Sequence, residues 1–125
     1  MLENRELISR LLSRAGHTVI SAESGEEALE LLETRGVDVV LLDLMMPGIG
    51  GLEATRRICD VYRDVKVIAL TARSESPFPA QMLRAGAAGY LTKDVRSDEL
   101  LHAIRRIFMG RRYVSSDVAQ DLAFH

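Results

Sequence analysis

The sequence predicts an α/β fold in which a doubly wound parallel sheet carries helices on both faces. Short apolar runs alternate with amphipathic helical segments along the chain, and several of the runs end in a polar residue. Strands that are joined by helical crossovers lie parallel, and the crossovers cover the sheet. With 125 residues, the chain has the size of one domain.

The first part of the chain alternates between helix and strand twice. Apolar residues recur at helical spacing over residues 5–15, and Gly16 follows as a stop signal. Residues 17–22 form a short strand candidate. Ser24 and Glu27 have the spacing of a capping box, which opens a second helix that ends near Gly36.

Three further apolar runs have the length and composition of buried strands. Residues 37–42 are almost wholly apolar, as in a strand that is covered on both faces. A helix from about 52 to 61 separates this run from the strand candidate at 65–70. A short helix after Pro79 then leads to a third strand at 89–92.

The last part of the chain is predicted to be helical. Ser97 is the expected N-cap of a helix, because two acids follow it at the positive helix end. Its apolar positions run from Leu100 to Phe108, and Gly110 stops it. Ser116 is a candidate cap for one more short helix that extends to Leu122.

Composition narrows the classes of function. The net charge of −2 gives no electrostatic reason to expect nucleic-acid binding by this segment. A group of arginines near the end is interpreted as a solvated helix face and its exit: Arg105, Arg106, Arg111 and Arg112.

The expected compartment is the cytoplasm. Cys59 is the single cysteine, so no intrachain disulfide can form, and its place in a helical pattern suggests a packed residue rather than a nucleophile. No apolar stretch approaches the length of a membrane span, and the first residues contain no apolar signal-peptide core.

Polar residues of three different chemistries follow the three apolar strands. Asp43, Thr71 and Lys93 each stand where a predicted strand ends. Taken alone, Asp43 has the alternative role of capping the turn at Pro47. Because parallel strands align their carboxyl ends, we expect the three side chains to share one site at that edge of the sheet.

This trio has the chemistry of a phosphoryl site. A carboxylate can attack phosphorus to give an acyl phosphate, while an ammonium and a hydroxyl neutralise the phosphoryl oxygens. A magnesium ion commonly bridges such groups through carboxylates, a carbonyl and waters. Asp43 and the backbone carbonyl of Met45 are candidate ligands. No hydrolytic triad, Walker loop or zinc site is visible.

Three motifs together resemble the receiver domain of bacterial response regulators: Leu42-Asp43-Leu44-Met45-Met46-Pro47-Gly48, Leu70-Thr71-Ala72 and Gly89-Tyr90-Leu91-Thr92-Lys93. The resemblance implies a flavodoxin-like (CheY-like) fold. The later motifs are most similar to regulators of the GacA/UvrY type, which carry a LuxR/FixJ-type output domain after the receiver.

The resemblance also implies residue roles. Asp43 matches the phosphoacceptor, and Thr71 and Lys93 match the residues that sense the phosphoryl group. Tyr90 matches an aromatic switch residue that rotates as Thr71 moves. Its alternative role, a packed strand aromatic, is compatible with switching.

The same resemblance sets the expected domain limits. Residues 1–112 match a receiver domain that is short at its amino end. Residues 113–125 match the start of a linker toward an output domain that is absent from these 125 residues.

The amino end departs from the family pattern. Receivers begin with a central strand that ends in two acidic residues, and those acids hold magnesium; here the first helix begins almost at once. Glu3 is at best a displaced substitute, and its alternative role is a helix-start acid. Without that strand, the strands at 17–22 and 37–42 either close up and pair, or a second copy fills the gap as in a strand-exchanged homodimer.

Two functions follow from the resemblance. The leading one is a phosphoacceptor module of a two-component system, which is not an enzyme itself. Its partner is a sensor histidine kinase or a phosphotransfer protein, and its output is transcription. The alternative is a degenerate receiver that works through protein contacts without phosphorylation. A small-molecule enzyme on this fold is disfavoured, since no cofactor loop is visible.

Overall fold

The computed structural model describes residues 5–17, 24–43, 50–71, 78–92, 95–115 and 119. Helices and strands alternate along these segments as the sequence predicts. The elements are α1 (Arg5–Arg14), α2 (Gly25–Thr34), β1 (Val39–Asp43), α3 (Gly51–Val61), β2 (Lys66–Thr71), α4 (Phe78–Arg84), β3 (Gly89–Thr92), α5 (Ser97–Phe108) and β4 (Tyr113–Val114).

The described strands form one parallel sheet in the order β1-β2-β3-β4. Val39 to Asp43 pair with Lys66 to Leu70, and Ile68 to Thr71 pair with Gly89 to Thr92. All four strands therefore point the same way and bring their carboxyl ends to one edge. This arrangement confirms the predicted parallel α/β architecture.

Helices cover both faces of the sheet. On one face, α1 and α5 pack on the strands through buried apolar residues such as Leu12, Leu91 and Ile104. On the other face, α2, α3 and α4 pack through residues such as Leu32 and Ile58. The apolar strands are covered from both sides, as their unbroken hydrophobic runs predict.

Two helix starts test the capping predictions. The Ser24 side chain accepts a hydrogen bond from the backbone N–H of Glu27 at 3.1 Å, which confirms the cap of α2. The prediction for Ser97 is wrong by one residue, because Arg96 is the N-cap of α5 and makes no side-chain cap bond. Asp98 Oδ1 instead accepts from the Glu99 N–H at 3.1 Å.

The α5 helix also corrects one apolar position. Leu100, Ile104 and Ile107 are buried, whereas Phe108 is 52% exposed. Phe108 is the last residue of the helix, directly after the buried Ile107, and its position falls outside the buried stripe.

The strand β4 was not predicted from the sequence. Tyr113 and Val114 pair in parallel with Gly89 and Tyr90, and the Ser115 N–H donates to the Tyr90 carbonyl at 3.1 Å. These residues lie in the segment that the sequence assigns to a linker from 113 onward. The sheet thus reaches Val114, and the domain limits stay a prediction.

Two sequence predictions fall outside the described residues. The strand candidate at 17–22 does so from residue 18 onward, and His17 is not in a strand. Of the predicted helix at 116–122, only Ala119 is described, as helical. In the described part of the sheet, β1 pairs on one side with β2. The pairing of the other side of β1, with the 17–22 strand or with a second copy of the chain, stays a prediction.

Candidate functional site

Two of the three predicted strand-end residues lie on neighbouring strands at the carboxyl edge of the sheet. Asp43 is the last residue of β1 and Thr71 is the last residue of β2. Asp43 stands opposite Leu70, so Thr71 is one residue further along. With ordinary strand spacing and rise, that offset puts the two Cα atoms roughly 6 Å apart.

The third strand ends level with Thr71. Thr71 stands directly opposite Thr92, the last residue of β3, and Lys93 follows Thr92 in sequence. Lys93 itself lies outside the described residues. Thr92 is a buried polar residue that the sequence predicts only as the end of the 89–92 strand. Its place between Tyr90 and Lys93 in one motif is the sequence feature that points to it.

Helix α3 begins at this same edge. The chain returns from the segment after Asp43 through Gly50, whose φ of 86° is a backbone conformation that favours glycine. Gly51 opens the helix and is buried, and the buried Thr55 hydroxyl donates to its carbonyl at 2.8 Å. The amino end of α3 therefore contributes a partial positive charge near the end of β1.

Tyr90 is packed into the core next to this edge. Its side chain is 1% exposed and belongs to the cluster on the α2–α4 face, which also contains Ala69 and Met82. Its backbone pairs with Val114 in the fourth strand. The structure therefore describes the packed-aromatic role, with Tyr90 joined through its backbone to β4.

A hydrogen bond and a ring contact tie β4 to α5. The Tyr113 hydroxyl donates to Glu99 Oε2 at 2.9 Å, and the Tyr113 ring meets the His102 ring edge-on at 5.8 Å between centroids. Burial raises the pKa of the Tyr113 phenol, and the hydrogen bond and negative charge of Glu99 raise it further, against a smaller lowering by Arg106. Two direct contacts therefore link β4 to the first two turns of α5.

The predicted magnesium ligands are not brought together by the described residues. Glu3 and Met45 lie outside them, and only the backbone of Asp43 is described. In the described segments, no group of three or more His, Cys, Asp or Glu side chains could hold a metal ion. The predicted magnesium site therefore lies largely outside the described residues, and no step below is derived through the metal.

Cys59 has the packed character that the sequence predicts. It is half-buried in α3. Burial raises the pKa of its thiol, and the nearby Asp60 carboxylate raises it further. A raised thiol pKa lowers the fraction of thiolate, which is the reactive form.

Sequence comparison decides the family. The profile of the response regulator receiver domain matches residues 2–105. The chain belongs to the response regulator receiver family. The resemblance and the flavodoxin-like, CheY-like fold predicted above are both confirmed.

Curated relatives are response regulators of the expected type. Response regulator UvrY of Escherichia coli K12 is 52% identical over 102 residues, which cover 82% of this chain and 47% of that protein. Response regulator GacA of Pseudomonas viridiflava is 52% identical over 102 residues, or 82% and 48% of the two chains. The chain thus spans about half the length of the curated relatives that it matches.

Solved structures agree with this placement. A LuxR-family two-component response regulator from Aurantimonas sp. SI85-9A1 superposes with a TM-score of 0.88 at 39% identity, over 95% of this chain and 86% of that one. The receiver domain of the putative regulator NarL from Mycobacterium tuberculosis gives 0.79 at 35% identity, over 86% and 88%.

Family membership fixes the general function. This chain is a receiver domain of the two-component response regulators. Receiver domains are phosphorylated by histidine kinases or phosphotransfer proteins, typically bind magnesium at the phosphorylation site, and are generally not classical enzymes. Within the described residues, no helix is both long and apolar enough to cross a membrane.

Proposed function

We propose that the receiver accepts a phosphoryl group on the Asp43 carboxylate and passes the signal to a transcriptional output. One observation carries the proposal: Asp43 ends β1 at the carboxyl edge of the sheet, with Thr71 ending the adjacent strand. Open α/β sheets place their sites at this edge. No other described strand ends in an acidic residue.

The chemical step is the transfer of a phosphoryl group from a histidine nitrogen to a carboxylate oxygen. A carboxylate oxygen of Asp43 attacks phosphorus as the P–N bond of a phosphohistidine breaks, and the leaving imidazole takes a proton from solvent. An acyl phosphate results. The hydroxyl of Thr71 and the ammonium of Lys93 would hold and neutralise phosphoryl oxygens, which is the main contribution that a protein makes to such a step.

The signal would leave the site through the sheet. A phosphoryl group that draws Thr71 toward it changes the space beside the packed Tyr90 ring. Because Tyr90 pairs with Val114, and Tyr113 is hydrogen-bonded to Glu99, a shift of Tyr90 would reach β4 and α5. The phosphoryl group acts as a ligand that shifts the equilibrium between two arrangements of Tyr90, β4 and α5.

The wider context of the protein is proposed from its relatives. A sensor histidine kinase or phosphotransfer protein is the donor, the compartment is the cytoplasm, and magnesium assists with Asp43 and the Met45 carbonyl as ligands and Glu3 as a displaced substitute. The homodimer stays a prediction. Light scattering of the purified chain, which measures its molar mass in solution, would test it. The phosphorylation-independent alternative is not favoured, since the relatives at about 52% identity are response regulators.

Intact-mass measurement tests the proposal. The chain is incubated with acetyl phosphate and magnesium, alongside Asp43→Ala and the control Asp38→Ala, which removes an exposed carboxylate just before β1. We expect one phosphoryl adduct on the wild type and on Asp38→Ala, and none on Asp43→Ala. An unlabelled wild type, or an adduct on Asp43→Ala, would overturn the proposal.

A further inference from the structure

A cavity lies at the opposite edge of the sheet from Asp43. The segments that lead into β2, β3 and β4 surround a cavity of about 320 Å³. Four cationic side chains line it: Arg63, Lys66, Arg111 and Arg112. No acidic residue of the described part of the chain lines it.

The four cations come from two separate parts of the sequence. Arg63 follows the end of α3 and Lys66 is the first residue of β2, whereas Arg111 and Arg112 lie between α5 and β4. Within the described residues, neither Arg63, Lys66 nor Arg111 has an ion-pair partner. Arg63, Arg111 and Arg112 are exposed and Lys66 is half-buried, so folding brings the four cations to one solvent-accessible cavity where an anion would meet several positive charges at once.

Arg112 is held in place at the rim of this cavity. Its guanidinium donates to the Leu83 carbonyl at the end of α4 at 3.2 Å. That bond uses one of the five N–H donors of the guanidinium, so the others stay available.

The remaining wall is apolar or small. Cys59, Val65, Ala88 and Ile107 contribute to it, together with Gly86 and Gly110. A Cβ at Gly86 would lie 2.8 Å from both Cβ and Sγ of Cys59, so the bare glycine is required for this close packing. A polar rim around a partly apolar wall suits a ligand that has both a multivalent anion and an organic part.

We propose that this amino-edge cavity binds a small organic phosphate, of the nucleotide class. Arginine and lysine side chains bind phosphate oxygens through charge-assisted hydrogen bonds, and the apolar wall would receive the base or a similar planar group. The site is independent of phosphoryl transfer at Asp43 and lies at the far end of the same strands.

Calorimetric titration with ADP tests the proposal on the 125-residue chain. Chelator is present to exclude magnesium-dependent binding near Asp43, and adenosine and pyrophosphate are titrated in parallel. We expect ADP to bind more tightly than either. Absence of ADP binding up to millimolar concentration, or equal binding of adenosine or pyrophosphate, would overturn the proposal.

Variants separate this site from general attraction of anions. Arg63→Ala, Lys66→Gln and Arg111→Ala should each weaken ADP binding roughly tenfold. Arg56→Ala is the matched control, because it removes the same charge from an exposed position of α3 that does not line the cavity. An equal loss in Arg56→Ala would contradict a defined site.

Amide NMR shifts give the location without relying on any variant. ADP should perturb the backbone N–H signals of Gly86, Ala88 and Gly110. Perturbations that centre instead on the end of β1 would overturn the assignment.

Discussion

The hydroxyl of Ser24 accepts a hydrogen bond from the Glu27 N–H at 3.1 Å and so satisfies one of the donors at the start of α2. Ser24→Ala should lower the free energy of unfolding by about 1 kcal/mol, measured by urea denaturation. Ser13→Ala is the control, because Ser13 is an exposed residue in the last turn of α1, away from any N-cap. Equal losses in the two variants would contradict the capping role.

The Tyr113 hydroxyl is a second residue whose single hydrogen bond has a measurable effect. Tyr113→Phe removes its bond to Glu99 and should lower the free energy of unfolding by about 1 kcal/mol at neutral pH. Tyr62→Phe is the matched control, since no hydrogen bond of the Tyr62 hydroxyl is found in the described part of the structure.

The hydrogen bond between Tyr113 and Glu99 also predicts how the stability of the chain depends on pH. The folded pKa of Tyr113 is raised above its ordinary value of 10.0, so the unfolded chain loses the phenol proton first. The stability that Tyr113 contributes is therefore fully present below pH 10.0 and is lost as pH rises through the raised pKa. The difference between wild type and Tyr113→Phe should shrink over that range. A difference that grows would contradict the direction of the shift.

At the scale of elements, pattern length separates what the sequence could predict from what it could not. Helices of ten or more residues carry a recognisable period and strands of four or more an apolar run, and all such described elements were placed within two residues of their observed ends. The two-residue strand Tyr113–Val114 has no period of its own. It exists because β3 offers a partner, which is a tertiary effect.

The turn after α4 shows a constraint that only the packed structure reveals. Gly86 has a φ of 115°, and a Cβ there would meet Cys59 in α3 at 2.8 Å. Gly86→Ala should therefore destabilise the chain by roughly 1–3 kcal/mol, measured as a lower urea midpoint. Gly36→Ala is the control, because a Cβ at Gly36 meets nothing within 4 Å. A loss at Gly36 as large as that at Gly86 would contradict this explanation.

At the scale of the whole molecule, the location of the site follows from topology. Parallel strands align their ends, so a carboxylate and a hydroxyl at the ends of two apolar runs must come to one edge, as Asp43 and Thr71 do. The one-residue offset between them and the burial of Tyr90 at 1% exposure depend on register and packing. Neither quantity has a signal in a single sequence.

The amino-edge cavity belongs to this scale too. The sequence predicts Arg111 and Arg112 only as part of a solvated helix face and its exit, and it does not connect them with Arg63 and Lys66, which are far away along the chain. Only the sheet order, which places β2, β3 and β4 side by side, brings the two groups to one cavity.

Locating the phosphoryl group tests the phosphoacceptor assignment most directly. The chain is treated with acetyl phosphate and magnesium, reduced with borohydride, which converts an aspartyl phosphate to homoserine, and mapped by peptide mass spectrometry. The expected result is homoserine at position 43 and unmodified aspartate at every other aspartate position. Homoserine at any other position, with Asp43 unmodified, would contradict the assignment of Asp43 as the phosphoacceptor.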